Sequence, residues 1–559
     1  MKTPLRFLAP LLAAALAVAP GAATAATIVI VNNDGLNEGF NDPSPRAPVG
    51  GNNGATLGQQ RLNVFNHAAA IWGALLPSTV TIQVRAQFNP QTCDANGAVL
   101  GSAGAVTIHR DFAGADFPGT WYGQALANRL SGADLSLAQP DINATFNVSL
   151  DSGCFPGGVW YYGLDGNEGN DIELLPVVLH EVGHGLGFQT FVNLASGALN
   201  GGFPDIYSRF ILDNTVGLHW DDMTNAQRQA SAINTGNVVW DGPATTLAAP
   251  LILDKRAQLT VTSPPLGALA VGRASFGAAL TAAGVSGQLI LGQDGAAPVN
   301  DGCTALVNAV AGRVVLLDRG VCTFTLKAQA AQNAGAIALI IANNAAGPAP
   351  ELGGSDPTIT IPVIAVSQAD GTTLKNQLLG GPVNVTVGTH ATLLAGADNA
   401  GRVLLYAPNP VVGGSSISHF DVTLFPDALM EPFVNDGLSD DVDLTLYHFD
   451  DIGWLDAPIT GVPPGPPSAL QLRAAAPNPF STRTTLRYDL PKAGMTELGV
   501  YDLRGSLVKR IHSGYRTAGT YTETWDGTDG RGHRMPSGVY LYRLKTAQGM
   551  AAKRMVLLP

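Results

Sequence analysis

A chain of 559 residues exceeds the size at which one hydrophobic core keeps growing, so several domains are expected. With 46% hydrophobic and only 13% charged residues, beside 66 Gly and 37 Pro, the composition excludes disorder and long charged helices and points to loop-rich, strand-rich modules. A net charge of -12 argues against nucleic acid as a partner, because that binding draws on Lys and Arg to displace counterions from phosphates.

Lys2 and Arg6 precede an apolar run from Phe7 to about Val18, and Ala23-Thr24-Ala25 supplies small residues at a cleavage position. This is the pattern of a secretory signal over residues 1–25. The run is too short to cross a bilayer, and no later stretch combines the needed length with freedom from polar, Gly and Pro interruption. The expectation is a secreted chain without a transmembrane segment, mature from Ala26. Four cysteines in an exported chain form an even set, and proximity in sequence pairs Cys93 with Cys154 and Cys303 with Cys322, one of three connectivities.

Thr27 to Asn32 alternates as a strand does, and a Gly/Asn/Pro-rich loop follows to Gly58. Leu62, Phe65, Ala69 and Trp72 then recur at helical spacing over Arg61 to Leu75, and Val80 to Gln87 returns to strand alternation. The aromatic, β-prone segment Val159 to Gly163 reads as an edge strand able to pair with an extended peptide. Asp165, Asn167, Asp171 and Glu173 form a polar cluster that is either a capped turn entering a helix or, as a secondary expectation, a Ca2+ site.

Val177 to Gln189 contains His180-Glu181-Val182-Gly183-His184. Residues four apart share one face of a helix, so both imidazoles can reach one ion while the intervening carboxylate projects toward a water on it. Zinc accepts neutral imidazole nitrogen and lowers the pKa of a bound water from about 15.7 toward about 7, after which Glu181 can act as general base. The alternative, a chance match on an amphipathic helix, leaves Gly183, Gly185 and Gly187 without a reason, since glycine weakens helices. Gly187 has one: three residues after His184 the helix must stop and turn at φ > 0.

The run His180 to Phe188 resembles the start of the metzincin zinc signature, in which a third ligand follows the turn glycine by three residues. That position is Thr190, which is not a normal zinc ligand, so the third must come from elsewhere. His419 in Ile417-Ser418-His419-Phe420-Asp421, followed by Met430 in Ala428-Leu429-Met430-Glu431-Pro432, resembles the leishmanolysin-like metzincins. There an insertion separates the helix from a distant His, and a Met-containing turn passes beneath the metal. The resemblance implies His180, His184 and His419 as ligands, Glu181 as base and Met430 as the turn methionine. His219 is the alternative third ligand, and Asp421 and Glu431 are candidate outer partners.

On this resemblance the region between Trp240 and about Ala400 is an insertion. Gly302-Cys303, Val314 to Phe324, Lys327, Asn333-Ala334-Gly335-Ala336 and Ile361 to Ser367 resemble the protease-associated (PA) domain, which accompanies secreted proteases; a plain spacer is the alternative. Beyond the prolines of 458–468, Pro477-Asn478-Pro479-Phe480, Tyr501 to Gly505, Trp525-Asp526-Gly527 and Pro536 to Tyr540 resemble FlgD-like immunoglobulin domains and secretion-sorting tails. Trp525, Tyr540 and Tyr542 are expected to fill its core.

The expected organisation is multidomain α+β. A signal peptide at 1–25 precedes a metzincin-like peptidase domain at 26–245 and 401–457, interrupted by an insertion at 246–400 with an α/β PA domain at about 285–390. A linker at 458–468 leads to a β-sandwich at 469–559. The function expected is a secreted zinc endopeptidase acting on protein or peptide substrates, with cell-surface or secretion-machinery contact through the C-terminal domain. An adhesion or scaffold protein with a structural metal site is the alternative, against which the intact Glu181 argues.

Overall fold

The computed structural model describes residues 25–558 apart from 157, 435–440, 456–469 and, in the C-terminal domain, 474, 476–477, 492–493, 503–505, 517–518, 531–532 and 547–548. The expected signal peptide up to residue 24 and the linker at 458–468 lie outside the described residues. The chain divides into two compact units, residues 1–187 with 452–458 and residues 188–451 with 459–559. No helix among the described residues is long and apolar enough to cross a membrane.

The first unit is built on a four-stranded sheet. Strand β1 (Ile28–Asn32) lies parallel to β2 (Ile82–Asn89), with Ile28 opposite Ile82. On the other side of β2 lies β4 (Ile142–Asn147), also parallel, with Val84 opposite Ile142. The fourth strand, β3 (Gly101–Ala105), is antiparallel to β4 and forms the sheet edge. Its sequence, Gly-Ser-Ala-Gly-Ala, has none of the β-branched or aromatic residues that announce a strand, so pairing rather than propensity makes it one.

Helix α1 (Leu57–Leu75) packs on this sheet and starts four residues before the periodic apolar run, because the Thr56 side chain accepts the Gln59 N–H and caps it. Phe65 meets Phe40 and Phe146 edge-on at 4.8 and 4.7 Å between ring centres. Cys93 and Cys154 form a disulfide. The segment expected as a free edge strand is reduced to Trp160–Tyr161, already paired with Ile172–Glu173. That pairing takes one side of the short strand, and in the main sheet β1 and β3 are the two edges.

In the second unit, Ile211–Asp213 lies between Leu218–His219 and Val238–Trp240 in a small antiparallel sheet. Residues 255–394 form an eight-stranded mixed sheet. Four strands at its centre, Val285–Leu291, Val314–Asp318, Ala338–Ala342 and Val363–Val366, run parallel, and the last three are near-continuous apolar runs because both faces are covered. Each face has its own core: Leu316, Ile340 and Leu374 pack on one, Leu317, Ile341 and Ala328 on the other. The strands Lys255–Ser263 and Val383–Leu394 extend the sheet beyond the stretch legible as α/β. Cys303 and Cys322 form the second disulfide.

The C-terminal residues form two antiparallel sheets, one centred on Thr484–Leu490 and the other on Gly494–Tyr501 and Gly538–Thr546. Trp525, Tyr540 and Tyr542 are buried in one core with Leu486 and Met555, as expected.

Candidate metal centre

Helix α2 (Leu174–Leu186) carries His180, Glu181 and His184. Gly183 and Gly185 each cost about 1 kcal/mol relative to alanine in a helix. Burial of Leu174, Leu175, Val177, Val178, Leu179 and Val182 outweighs that, at about 1.5–3 kcal/mol for each larger side chain. Gly185 is needed for packing, since a Cβ there would come within 2.3 Å of Ile142 Cγ2 in β4. Gly187 ends the helix at φ 138°, its N–H donating to Gly183 O and His184 O. Two indoles fix the helix: Trp72 Nε1 donates to Leu179 O at 3.1 Å and Trp454 Nε1 to Leu186 O at 2.8 Å.

The Nε2 atoms of His180 and His184 are 3.0 Å apart, with the rings nearly perpendicular. Glu181 is buried against β3: a Cβ at Gly101 would lie 3.0 Å from Glu181 Cγ and 3.1 Å from its Oε1. Burial pushes the Glu181 carboxyl up to about 8, while the N–H of Ala103 that it accepts pulls the other way.

His419 is held by a ladder of backbone hydrogen bonds. Ile417 N–H donates to Tyr406 O, Tyr406 N–H to His419 O, Phe420 N–H to Met430 O and Asp421 N–H to Leu404 O, at 2.7 to 2.9 Å. Ile417, buried and at φ 71°, makes the sharp entry to this ladder, and Tyr207 Oη donates to its carbonyl at 2.8 Å. His419 Nδ1 lies 2.7 Å from Ser415 O, so Nδ1 carries the proton and Nε2 is left as the lone-pair nitrogen.

One ligand atom from each of His180, His184 and His419 lies within 4.8 Å of the others. Three imidazole nitrogens, two of them on buried side chains, with a carboxylate outside the cluster on the same helix, suit zinc with one coordination position left open. Met430 is fully buried in the turn joined to Phe420.

The other expected residues go elsewhere. His219 Nε2 pairs with Asp241 Oδ2 at 2.9 Å. Thr190 Oγ1 donates to Asp205 Oδ2 at 2.9 Å, and Phe191 N–H donates to the same oxygen at 2.7 Å. Asp205 thus braces the chain leaving the helix, a role invisible in sequence because it depends on a contact fifteen residues away. Asp421 accepts from Thr423, and Glu431 closes its own turn by accepting the Ala428 N–H. In the Asp165 cluster, Asp165 accepts from Tyr161 Oη, Asp171 from Val159 N–H and Glu173 from Gly166 N–H. It is a hydrogen-bonded turn, and the Ca2+ expectation has no support in it.

Comparisons with known proteins agree with parts of this picture. A probable lipoprotein aminopeptidase of Mycobacterium tuberculosis is 41% identical over 110 residues, 18% of this chain and 20% of that protein. Leucine aminopeptidase 2 of Arthroderma otae is 41% identical over 91 residues, 16% of this chain and 18% of that protein. The chain thus spans about a fifth of the length of these curated relatives. Among solved structures, a zinc aminopeptidase from Bacillus subtilis is 20% identical, covering 33% of this chain and 42% of that chain at a TM-score of 0.20. FlgD from P. aeruginosa is 28% identical, covering 14% of this chain and 64% of that chain at a TM-score of 0.12. By family, the chain carries a PA domain at residues 285–374 and a FlgD Ig-like domain at residues 480–549.

Proposed function

We propose that this protein is a secreted zinc endopeptidase of the metzincin type, with His180, His184 and His419 as ligands and Glu181 as general base. The observation that supports it most is the approach of the three imidazoles beside Glu181. A zinc ion held by them would supply a Lewis acid for the scissile carbonyl and a source of nucleophilic water at neutral pH. Positive charge held by the three imidazoles would favour the ionised carboxylate of Glu181, which then takes the proton of the attacking water and later delivers it to the leaving amine. Met430 is the turn methionine of this reading, and the catalytic domain comprises 26–245 and 401–457 around the insertion.

The substrate lies extended along β3, whose outer edge offers backbone N–H and C=O groups. β3 also holds Glu181 through Ala103, so one strand both aligns the peptide and places the base. A chain lying along an open edge needs no free terminus, which favours internal cleavage.

The aminopeptidase likeness supports peptide-bond hydrolysis and gives a second reading, cleavage at a free amino terminus. The matched stretches, 91 and 110 residues, have the size of the 90-residue PA match, so they speak less to the three-histidine cluster. The deciding experiment measures zinc content and casein hydrolysis of the wild type, Glu181→Gln and His419→Ala, with a peptide acetylated and amidated at its ends. The expected result is one zinc per wild-type chain and cleavage of the blocked peptide. Glu181→Gln keeps zinc without activity, and His419→Ala loses both. Cleavage of free-ended peptides alone favours the aminopeptidase reading; absence of metal overturns both.

A further inference from the structure

Within the second unit a cavity of about 990 Å³ opens where strand residues of the insertion around Arg256 and Arg273 face the loops at 395–402 and 422–433. Its arginines are already engaged by the wall. Arg402 Nε donates to Asp398 Oδ2 at 2.8 Å, and Arg256 donates to Ala397 O. Arg273 donates to Lys255 O and lies over the Phe425 ring, 4.2 Å from its centre. Pulling any of them toward a ligand would strand an acceptor or a carboxylate, which opposes an anionic occupant.

The acidic side of the cavity differs. Glu351 accepts the Arg273 N–H on Oε2 at 2.7 Å, while its Oε1 meets no protein donor among the described residues. The residue is exposed by area, yet enclosure by the surrounding walls pushes its carboxyl up to about 7. Asp427 lies near enough to raise both Glu351 and Glu431, so negative charge from two separate chain segments converges on one space. Beside it stand apolar surfaces from Val422, Leu424 and Phe433, the last of them 60% exposed. A Ca2+ or Mg2+ ion needs six or more oxygen ligands, and this partly aliphatic and aromatic wall is poor in them.

We infer that this cavity binds the lysine or arginine side chain of a polypeptide, its charged group meeting Glu351 and its stem lying on Val422, Leu424 and Phe433. Long basic side chains combine an apolar stem with a charged head, and the lining of this cavity offers both kinds of surface. The identity of that polypeptide as substrate rests on the peptidase reading; the binding itself does not. The segment 422–433 directly follows His419 in the chain, so a basic residue held here is a means of selecting substrates away from the scissile bond.

The test uses the full-length Glu181→Gln protein and a fluorescein-labelled ten-residue peptide with one central lysine, beside norleucine and glutamate versions, followed by fluorescence anisotropy. The lysine peptide is expected to bind at least tenfold more tightly than the other two. Glu351→Gln removes that difference, and Phe433→Ala weakens the lysine and norleucine peptides alike. Affinity for lysine should fall as pH drops through about 7, because protonating Glu351 removes its charge. Equal binding of lysine and norleucine, tighter binding of glutamate, or no binding overturns the inference. Casein cleavage by the wild type without a lysine preference sinks this proposal alone; a lysine preference without casein cleavage sinks the peptidase reading alone.

Discussion

The imidazole of His448 stacks on the indole of Trp240, 3.7 Å between ring centres and 30° from parallel, with Phe188 on it at 4.1 Å and 23°. Tyr207 and Phe420 complete the enclosure. The ring is fully buried, and neither nitrogen has a hydrogen-bond partner among the described residues. Among the described residues no charged side chain offsets this: Tyr207 Oη is committed to Ile417 O, and Asp451 to Trp240 Nε1, Thr245 and Ala244.

Burial alone holds the His448 pKa well below 6.5, so the unfolded chain takes up this proton before the folded one does. The associated stability is fully present above about 6.5 and is lost as pH falls below it, by about 1.4 kcal/mol per unit and about 2 kcal/mol at pH 5. His448→Phe keeps the aromatic packing and removes the proton. Urea unfolding at pH 7 and 5 should show the variant losing about 2 kcal/mol less than the wild type over that interval. The same pH slope in both would show that the histidine is not the acid-sensitive group.

Gly101 and Glu181 give a catalytic prediction. An alanine Cβ at 101 would sit 3.0 Å from Glu181 Cγ, and the carboxylate has to move away from β3 to admit it. The three histidines are untouched. Gly101→Ala should keep its zinc and lose at least tenfold in kcat, read from casein or blocked-peptide turnover beside metal analysis. Unchanged kcat would mean that the position of Glu181 against β3 does not matter for the reaction.

Asp205 gives a structural one. Buried, it accepts from Thr190 Oγ1, Phe191 N–H and Ser208 N–H, and burial raises its carboxyl pKa. Asp205→Ala leaves three donors without an acceptor and should cost about 3–5 kcal/mol in urea unfolding, Asp205→Asn less. A loss under 1 kcal/mol would show that the loop after the helix is braced by other contacts.

Asp205, His448 and β3 also mark where sequence reading stops. The helix bearing His180 and His184 was legible because its chemistry is local, two imidazoles and a carboxylate within five residues, and Gly187 has the positive φ its spacing demanded. The cysteine pairs were legible from proximity and match the two disulfides. His419 entered only through its spacing from Met430, and the two are indeed tied through the Phe420 N–H. β3 was missed because five small residues carry no periodicity, and the strand exists only by pairing with β4. His448 gave no signal, since its aromatic neighbours at 188, 207, 240 and 420 are scattered along the chain.

The two histidines weighed for the third position, His219 and His419, separate cleanly. His219 Nε2 is tied to Asp241 Oδ2 at 2.9 Å, and Asp241 Oδ1 faces Arg402 at 3.4 Å, so this imidazole belongs to a local ion-pair network. That network is partly exposed, and removing one member should cost under about 1 kcal/mol. His419 presents Nε2 with Nδ1 anchored on Ser415 O, the tautomer a metal ligand requires. His219→Ala should therefore retain one zinc per chain and turn over within twofold of the wild type. His419→Ala should lose at least a hundredfold in zinc affinity, measured by competition with a chelator of known strength. The reverse pattern, zinc lost with His219 and kept without His419, would move the third ligand and with it the leishmanolysin-like arrangement.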